Sequence, residues 1–148
     1  WFMIIIRQIN SKDFDKWRSV YHYYALHYEV SLTEVGIETT WNWLIDDSNP
    51  LNGIVAENTK NIVGLAHYRA MPSPLRGKLV GFIDDIIVTP KNRGKGVGKM
   101  LLNEIKEIGI RENWGIIRWI TRDNNYIARI LYDKVANKSD WNVYEMNL

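Results

Sequence analysis

The 148-residue chain contains no cysteine. That excludes disulfides, thiolate metal sites and a cysteine nucleophile, so any group transfer must run by direct attack or through another nucleophile. The absence also fits a reducing compartment, and a cytoplasmic location is expected. Long apolar runs are missing too. Met3 to Ile6 is ended by Arg7, and nothing reaches the ~18 apolar residues of a membrane span. There is no signal-peptide architecture, and no membrane partner is expected. Charge of one sign is in short supply: 19 basic against 17 acidic residues leave a formal net charge of +2. A nucleic-acid binder carries a stronger basic excess on one face, so no nucleic-acid partner is expected. Three histidines are badly placed for a metal. His22 and His27 stand five apart on a helical stretch, where ligands sharing a face need a spacing of four, and His67 is alone on a strand. No metal site is expected.

What is present describes one domain. A chain of this length buries roughly 70% of the surface its unfolded form exposes, so its core needs no staples. Apolar residues make up 46% and charged residues 24%, the proportions of an ordinary folded domain. Seven Trp and eight Tyr are many for the length, and most are expected in the core or an interface. Trp1 and Phe2 precede a plausible initiator, Met3, so the domain is taken as residues 3–148.

Periodicity gives the element order. Ile4 to Ile9 is β-branched and apolar, a first strand. Ser11 can cap a helix in which Phe14, Trp17, Tyr21, Tyr24 and Tyr28 recur at spacings of three and four, a face expected to pack in the core. Ser31-Leu32-Thr33-Glu34 has the capping-box pattern and opens a second helix with Leu32, Val35, Trp41, Leu44 and Ile45. Gly53 to Glu57 and Ile62 to Met71 read as a hairpin around Asn58-Thr59-Lys60-Asn61. Leu79 to Val88 is the most β-prone run, and Thr89-Pro90 stops it. A helix to about Asn113 shows Val97, Leu101, Ile105 and Ile108 on one face. Ile116 to Thr121 is a further strand. Asp123 or Asn124 caps a short helix with Ile127, Ile130, Leu131 and Val135, and Trp141 to Met146 is expected to close the chain as a strand. The order β-α-α-β-β-β-α-β-α-β predicts a single mixed α/β (α+β) domain.

Between the strand ending at Val88 and the helix that follows, Lys91 to Lys99 holds four basic residues, three glycines and no acid. A helix start offers unpaired N–H groups and partial positive charge, and glycine lets the backbone approach an anion closely. The Walker pattern fails, because Gly98-Lys99 is followed by Met100 and position 93 is Arg. The dinucleotide fingerprint fails, because its third glycine would fall on Lys99. Arg93-x-x-Gly96-x-Gly98 after an acidic strand fits a different pattern. The run Ile83 to Gly98 resembles the central strand and pyrophosphate loop of the GCN5-related N-acetyltransferase superfamily, and Asn125-x-x-Ala128-x-x-Leu131-Tyr132 resembles its following helix. The likeness extends over the element order of essentially the whole chain and is nearest the histone and polyamine branch.

The resemblance implies a central, mostly antiparallel twisted sheet of six to seven strands, flanked by about four helices and splayed between the fourth and fifth strands. It implies acetyl transfer from acetyl-coenzyme A to a primary amine by direct attack in a ternary complex. Ile86, Ile87 and Val88 would hydrogen-bond pantetheine as an added strand does. Backbone N–H groups of Arg93, Gly94, Lys95, Gly96, Val97, Gly98 and Lys99 would take the pyrophosphate. Tyr132 is the general-acid candidate, lying against the cofactor. Asn125 could bind the cofactor arm or cap its helix. Asp84 takes the place of the acidic residue of polyamine-type members and would deprotonate or position the ammonium, directly or through water. Alternation puts Asp84 and Asp85 on opposite strand faces, and Asp85 is expected in an ion pair or cap. The acceptor end would use Tyr28 and Glu29, near Tyr24, His27, Trp141 and Tyr144. A polyamine, amino compound or similar small amine is the first expectation and a protein lysine or N-terminus the second. A non-catalytic, coenzyme-A-binding regulatory module is the alternative from another class. A homodimer is expected from the family's habit. Lys134-Val135-Ala136-Asn137 departs from the pattern, lacking the Gly-Phe or Gly-Tyr turn common there.

Overall fold

In the computed structural model, which describes residues 3–59 and 61–148, five strands lie side by side in chain order. They are β1 (Ile5–Gln8), β2 (Leu51–Glu57), β3 (Ile62–Ser73), β4 (Lys78–Val88) and β5 (Ile117–Trp119). The first four pair antiparallel, and β5 joins β4 parallel. The helices are α1 (Phe14–Tyr28), α2 (Glu34–Ile45), α3 (Val97–Arg111) and α4 (Tyr126–Val135). The parallel pairing of β4 and β5 needs a crossover, which α3 supplies. Lys60, in the expected hairpin turn, and Trp1 and Phe2 lie outside the described residues.

Strand alternation sorts the core onto two faces. Ile54, Ala56, Val63 and Ala66 pack with Leu101, Leu102, Ile105 and Ile108 of α3. Val55, Ile62, Leu65 and Ile87 pack with Trp17, Val20, Ile37 and Trp41 of α1 and α2. The stripe expected on α3 is therefore its buried face. The aromatic stripe of α1 divides. Phe14, Trp17 and Tyr21 enter the core, whereas Tyr24 and Tyr28 line a cleft.

Several sequence expectations need correction. The sheet has five strands among the described residues, not six to seven. Trp141 to Met146 forms no strand, and Trp141, Val143, Tyr144 and Met146 remain between 62% and 90% exposed. The cause lies at the end of α4. Ala136 is extended, φ −149 and ψ 175, where a left-handed glycine would turn the chain back. The first turn is capped by Asn10 rather than Ser11: the Asn10 side chain accepts from Lys12 N–H, and Asp13 accepts from Asn10 N–H. Thr33, not Ser31, caps α2 by accepting from Gly36 N–H. Val35 stays exposed on that helix, and Ile37 takes the buried position.

Two features of β4 shape the site. Its pairing with β5 covers only Gly81 to Ile83, opposite Ile117 to Trp119. Beyond Ile83, where a splay is expected, β4 has no strand partner on that side because β5 ends at Trp119. The second feature is a bulge: His67 faces Asp85 and Tyr68 faces Ile83, so Asp84 is the extra residue.

Arg7 ties the sheet edge to the entry of α1. Its guanidinium donates to both Asp13 oxygens, at 2.7 and 2.9 Å, and to both Glu57 oxygens, at 2.9 and 3.2 Å. The Arg7 hydrogen bonds hold the buried Asp13 carboxyl below its ordinary value against the opposing effect of burial. Its contribution to stability is thus complete above the unfolded carboxyl value and is lost as pH falls through the lower folded value. Asp13→Ala should cost about 2 kcal/mol in urea unfolding at pH 7, the worth of hydrogen bonds to a charged group. The deficit should shrink as pH falls from the ordinary carboxylate range through the lower folded value of Asp13, and a deficit that does not change with acidification would contradict the assignment.

Candidate active site

The early end of β5 leaves a narrow cleft beside β4. Tyr24 and Tyr28 of α1 form one wall, Ile83 to Ile86 of β4 the floor, and Trp119, Ile120 and Tyr132 the opposite wall. Trp119 and Tyr132 meet edge to face, ring centroids 5.4 Å apart.

At one end of the cleft lies the glycine loop. Gly94 and Gly96 take φ 73 and 82, conformations that cost other residues about 1–2 kcal/mol. Gly98 sits inside α3, and a Cβ there would lie 3.3 Å from Leu131 Cδ2, so its bareness lets α4 approach. The cap residue of α3 is Gly96, which has no side chain to occupy the helix's first donors. Met100 N–H is bonded to Gly96 O at 3.0 Å. Among the described residues, the amides of Gly94 to Lys99 have no backbone acceptor. A row of free N–H groups with Arg93, Lys95 and Lys99 exposed beside it is an arrangement that could hold an anion. Arg93 folds back to donate from Nε to Val88 O at 3.1 Å, fixing the loop to the end of β4.

The bulge overturns the expectation that Asp84 and Asp85 occupy opposite faces. His67 and Arg69, two apart on β3, share a face. Asp85 Oδ2 lies 2.7 Å from His67 Nδ1, and Asp84 takes the Arg69 Nε–H at 3.0 Å. Both carboxylates therefore lie on the α1 side and line the cleft. Burial pushes the Asp85 carboxyl up, but its hydrogen bond and electrostatic interaction with His67, and then the Tyr24 and Tyr21 phenols, outweigh it and hold it below its ordinary value. The same burial, reinforced by the Asp85 charge, raises the Tyr21 and Tyr24 phenols. His67, set aside in the sequence as a lone strand histidine, thus has partners. The signal was its place on the strand next to the acidic pair, but pairing register is not written in the sequence.

The other expected residues divide. Tyr132 reaches the cleft, and burial, with the Tyr28 charge, pushes its phenol up to about 12. Asn125 does not cap α4 with its side chain. Its Nδ2 donates to Tyr28 OH at 3.2 Å and Thr121 Oγ1 at 3.1 Å, bracing the cleft wall. Arg122 donates to Tyr28 O and lies over the Tyr28 ring. Glu29 is the exposed, left-handed end of α1 and does not line the cleft. His27, Trp141 and Tyr144 do not line it either. Among the described residues, no group of three or more His, Cys, Asp or Glu could hold a metal ion, and no helix is long and apolar enough to cross a membrane.

Solved structures share this fold. The ribosomal-protein-alanine N-acetyltransferase of Brucella melitensis superposes with a TM-score of 0.82 at 22% identity, covering 99% of each chain. AAC(6')-Iy in complex with the bisubstrate analogue CoA-S-monomethyl-acetylneamine superposes with a TM-score of 0.82 at 17% identity, covering 99% of this chain and 98% of that one. The fold is that of the N-acetyltransferases. In sequence, the D-amino-acid N-acetyltransferase HPA3 of Saccharomyces cerevisiae is 28% identical over 146 residues, 97% of this chain and 91% of that protein. The Acetyltransferase (GNAT) family model matches residues 17–136, and the chain belongs to that family. It is accordingly an acetyl-coenzyme-A-dependent N-acetyltransferase.

The value of about 12 for Tyr132 can be read directly. Compared with Tyr132→Phe, the wild-type protein should show no extra tyrosinate absorbance until the pH passes about 11, because burial favours the neutral phenol. An extra ionisation near pH 10 would place Tyr132 in solvent.

Proposed function

We propose that this enzyme acetylates a small primary amine, and that the amine meets the thioester in the cleft between β4 and β5. The observation that carries the reading is the row of free amides from Gly94 to Lys99, at the end of a strand whose edge is open and beside a cleft holding Tyr132 and two carboxylates. The amides and the loop's basic side chains take the pyrophosphate, and the main chain of Ile86 to Val88 takes the pantetheine arm as an added strand. Such docking aims the thioester at the acidic pair. A main-chain N–H near Ile86 stabilises the oxyanion that forms when the amine attacks.

Tyr132 supplies the donor for the departing sulfur. A phenol near 12 keeps its proton at every physiological pH. Full transfer to an alkyl thiolate, whose acid has a pKa near ~8.5, is uphill by about 3 units. Tyr132 therefore stabilises the developing thiolate by a hydrogen bond, and solvent completes the protonation. Asp84, 28% exposed and already ion-paired with Arg69, lines the cleft where it can pass the proton that the ammonium loses to water.

The acceptor is an amino compound rather than a protein segment, because the cleft is walled by Tyr24, Tyr28 and Trp119 and is narrow. The name of the Saccharomyces relative adds D-amino acids to the polyamines as first acceptors to try. The test is a panel of spermidine, D-amino acids, aminoglycosides and lysine peptides, assayed for thiol release from acetyl-coenzyme A. Turnover of a small amine is expected, and Tyr132→Phe should lower kcat about 100-fold while coenzyme A affinity is kept. Coenzyme A binding with no turnover of any amine would favour a regulatory module. Preference for lysine peptides would move the substrate to proteins.

We also propose a homodimer. Trp141, Val143, Tyr144 and Met146 stand exposed beside α4, whose Ile127 and Ile130 are exposed as well. Trp141 and Tyr144 from two copies would bury roughly 500–800 Å², a large part of the ~1,600 Å² of a standard interface. Light scattering should give twice the chain mass of 17.4 kDa, and the double variant Trp141→Asp, Tyr144→Asp should give the single mass. A wild-type monomer at tens of micromolar would contradict the proposal.

A further inference from the structure

Between α1 and β3 runs a chain of buried polar groups to which the acetyl-transfer chemistry above gives no task. Trp17 is fully buried, and its Nε1–H donates to His67 Nε2 at 2.9 Å. An indole nitrogen only donates, so Nε2 is an acceptor and the His67 proton sits on Nδ1. That Nδ1–H donates to Asp85 Oδ2 at 2.7 Å. The same oxygen accepts from Tyr21 OH at 3.2 Å, and the Tyr24 phenol lines the cleft beside it.

The donors that hold the Asp85 carboxylate are thus all neutral. They stabilise its ionised form without balancing its charge. Asp84, one residue away, has its charge met by Arg69. Asp85 is only 14% exposed at its side chain and lines the cleft. A buried charge needs a counter-charge, and the cleft is the side from which one can arrive. We propose that Asp85 receives the ammonium of the acceptor amine, and that His67, fixed in its Nδ1–H form by Trp17, is the positioning residue that holds the carboxylate. The inference rests on the amine-acetylation reading and deepens it: the acceptor enters as a cation, is anchored at Asp85 beside the thioester, and loses one proton to water before its lone pair attacks. The titratable groups facing Asp85 are His67 from β3, Tyr21 and Tyr24 from α1, Asp84 on its own strand, and Tyr28 and Tyr132 across the cleft.

Two measurements test this together. Long-range proton–nitrogen NMR of wild-type protein should show His67 protonated at Nδ1 with Nε2 accepting a hydrogen bond, and Trp17→Phe, which removes that donor, should shift the Nε2 resonance. With the fastest acceptor of the amine panel, Asp85→Asn should raise the amine KM at least 10-fold and leave the acetyl-coenzyme A KM unchanged. His67→Phe removes a donor that favours the charged carboxylate. The acid limb of kcat/KM for the amine should therefore move to higher pH. His67→Asn, which keeps an N–H near the Nδ1 position, should bring it back. A wild-type ring protonated at Nε2 overturns the lock, whether or not His67→Phe folds. An active Asp85→Asn enzyme with unchanged amine KM overturns the anchor alone. Absence of turnover with every amine overturns the acetyl-transfer reading and the anchor with it.

Discussion

Beyond Ile83, strand β4 has a neighbour on one side only. Its inner edge is paired with β3 as far as Val88, while β5 pairs with it for three residues and then ends. The closed end is pinned by Trp114. A Cβ on Gly81 would lie 2.5 Å from that indole and one on Gly109 3.0 Å away, so two bare glycines admit the ring between sheet and α3. The open end is propped by the Trp119–Tyr132 contact. A strand edge exposed inside a folded domain offers main-chain donors and acceptors to an extended ligand. Here the same strand leads directly into the free amides at the start of α3. One early strand end thus brings together a free strand edge, a row of free amides and a cleft.

The bulge at Asp84 works on the second side of the problem. A regular strand would have sent one of the two carboxylates toward α3 and its apolar face. The extra residue keeps both on the α1 side, where polar partners exist. Their charges are then handled differently. Asp84 is matched by an arginine at the rim, and Asp85 is held deeper in by His67 and Tyr21. Bulges next to active sites commonly re-aim side chains in this way. The aromatic content of α1 follows from the same need, since the helix must fill the core at Trp17 and present phenols at Tyr24 and Tyr28 within a few turns.

Much of the fold was legible because it is periodic. The α3 stripe of Val97, Leu101, Ile105 and Ile108 is buried as its spacing requires. The β2–β3 hairpin and β4 lie within a few residues of their expected bounds. The glycine loop was legible because composition at a helix start carries a mechanism, and Gly94 and Gly96 do take left-handed backbone. What escaped depends on register and on chain exit. Alternation could not reveal that Asp84 is an extra residue, so the two carboxylates were placed on opposite faces and His67 was left without a partner. An apolar run such as Trp141 to Met146 has strand composition, yet nothing local says whether α4 hands the chain back to β5. The extended Ala136 sends it elsewhere. The cap of the first turn was missed by one residue because Asn10 and Ser11 are both good caps, and only the reciprocal bond to Asp13 separates them.

The central claim is that an open strand edge and a helix start together grip one extended cofactor. Amide hydrogen exchange with and without coenzyme A tests it most directly. The account predicts slowed exchange at Ile86 to Val88 and at Gly94 to Lys99, with no comparable change in α2. Binding that protects neither segment, or protects a different edge of the sheet, would contradict it.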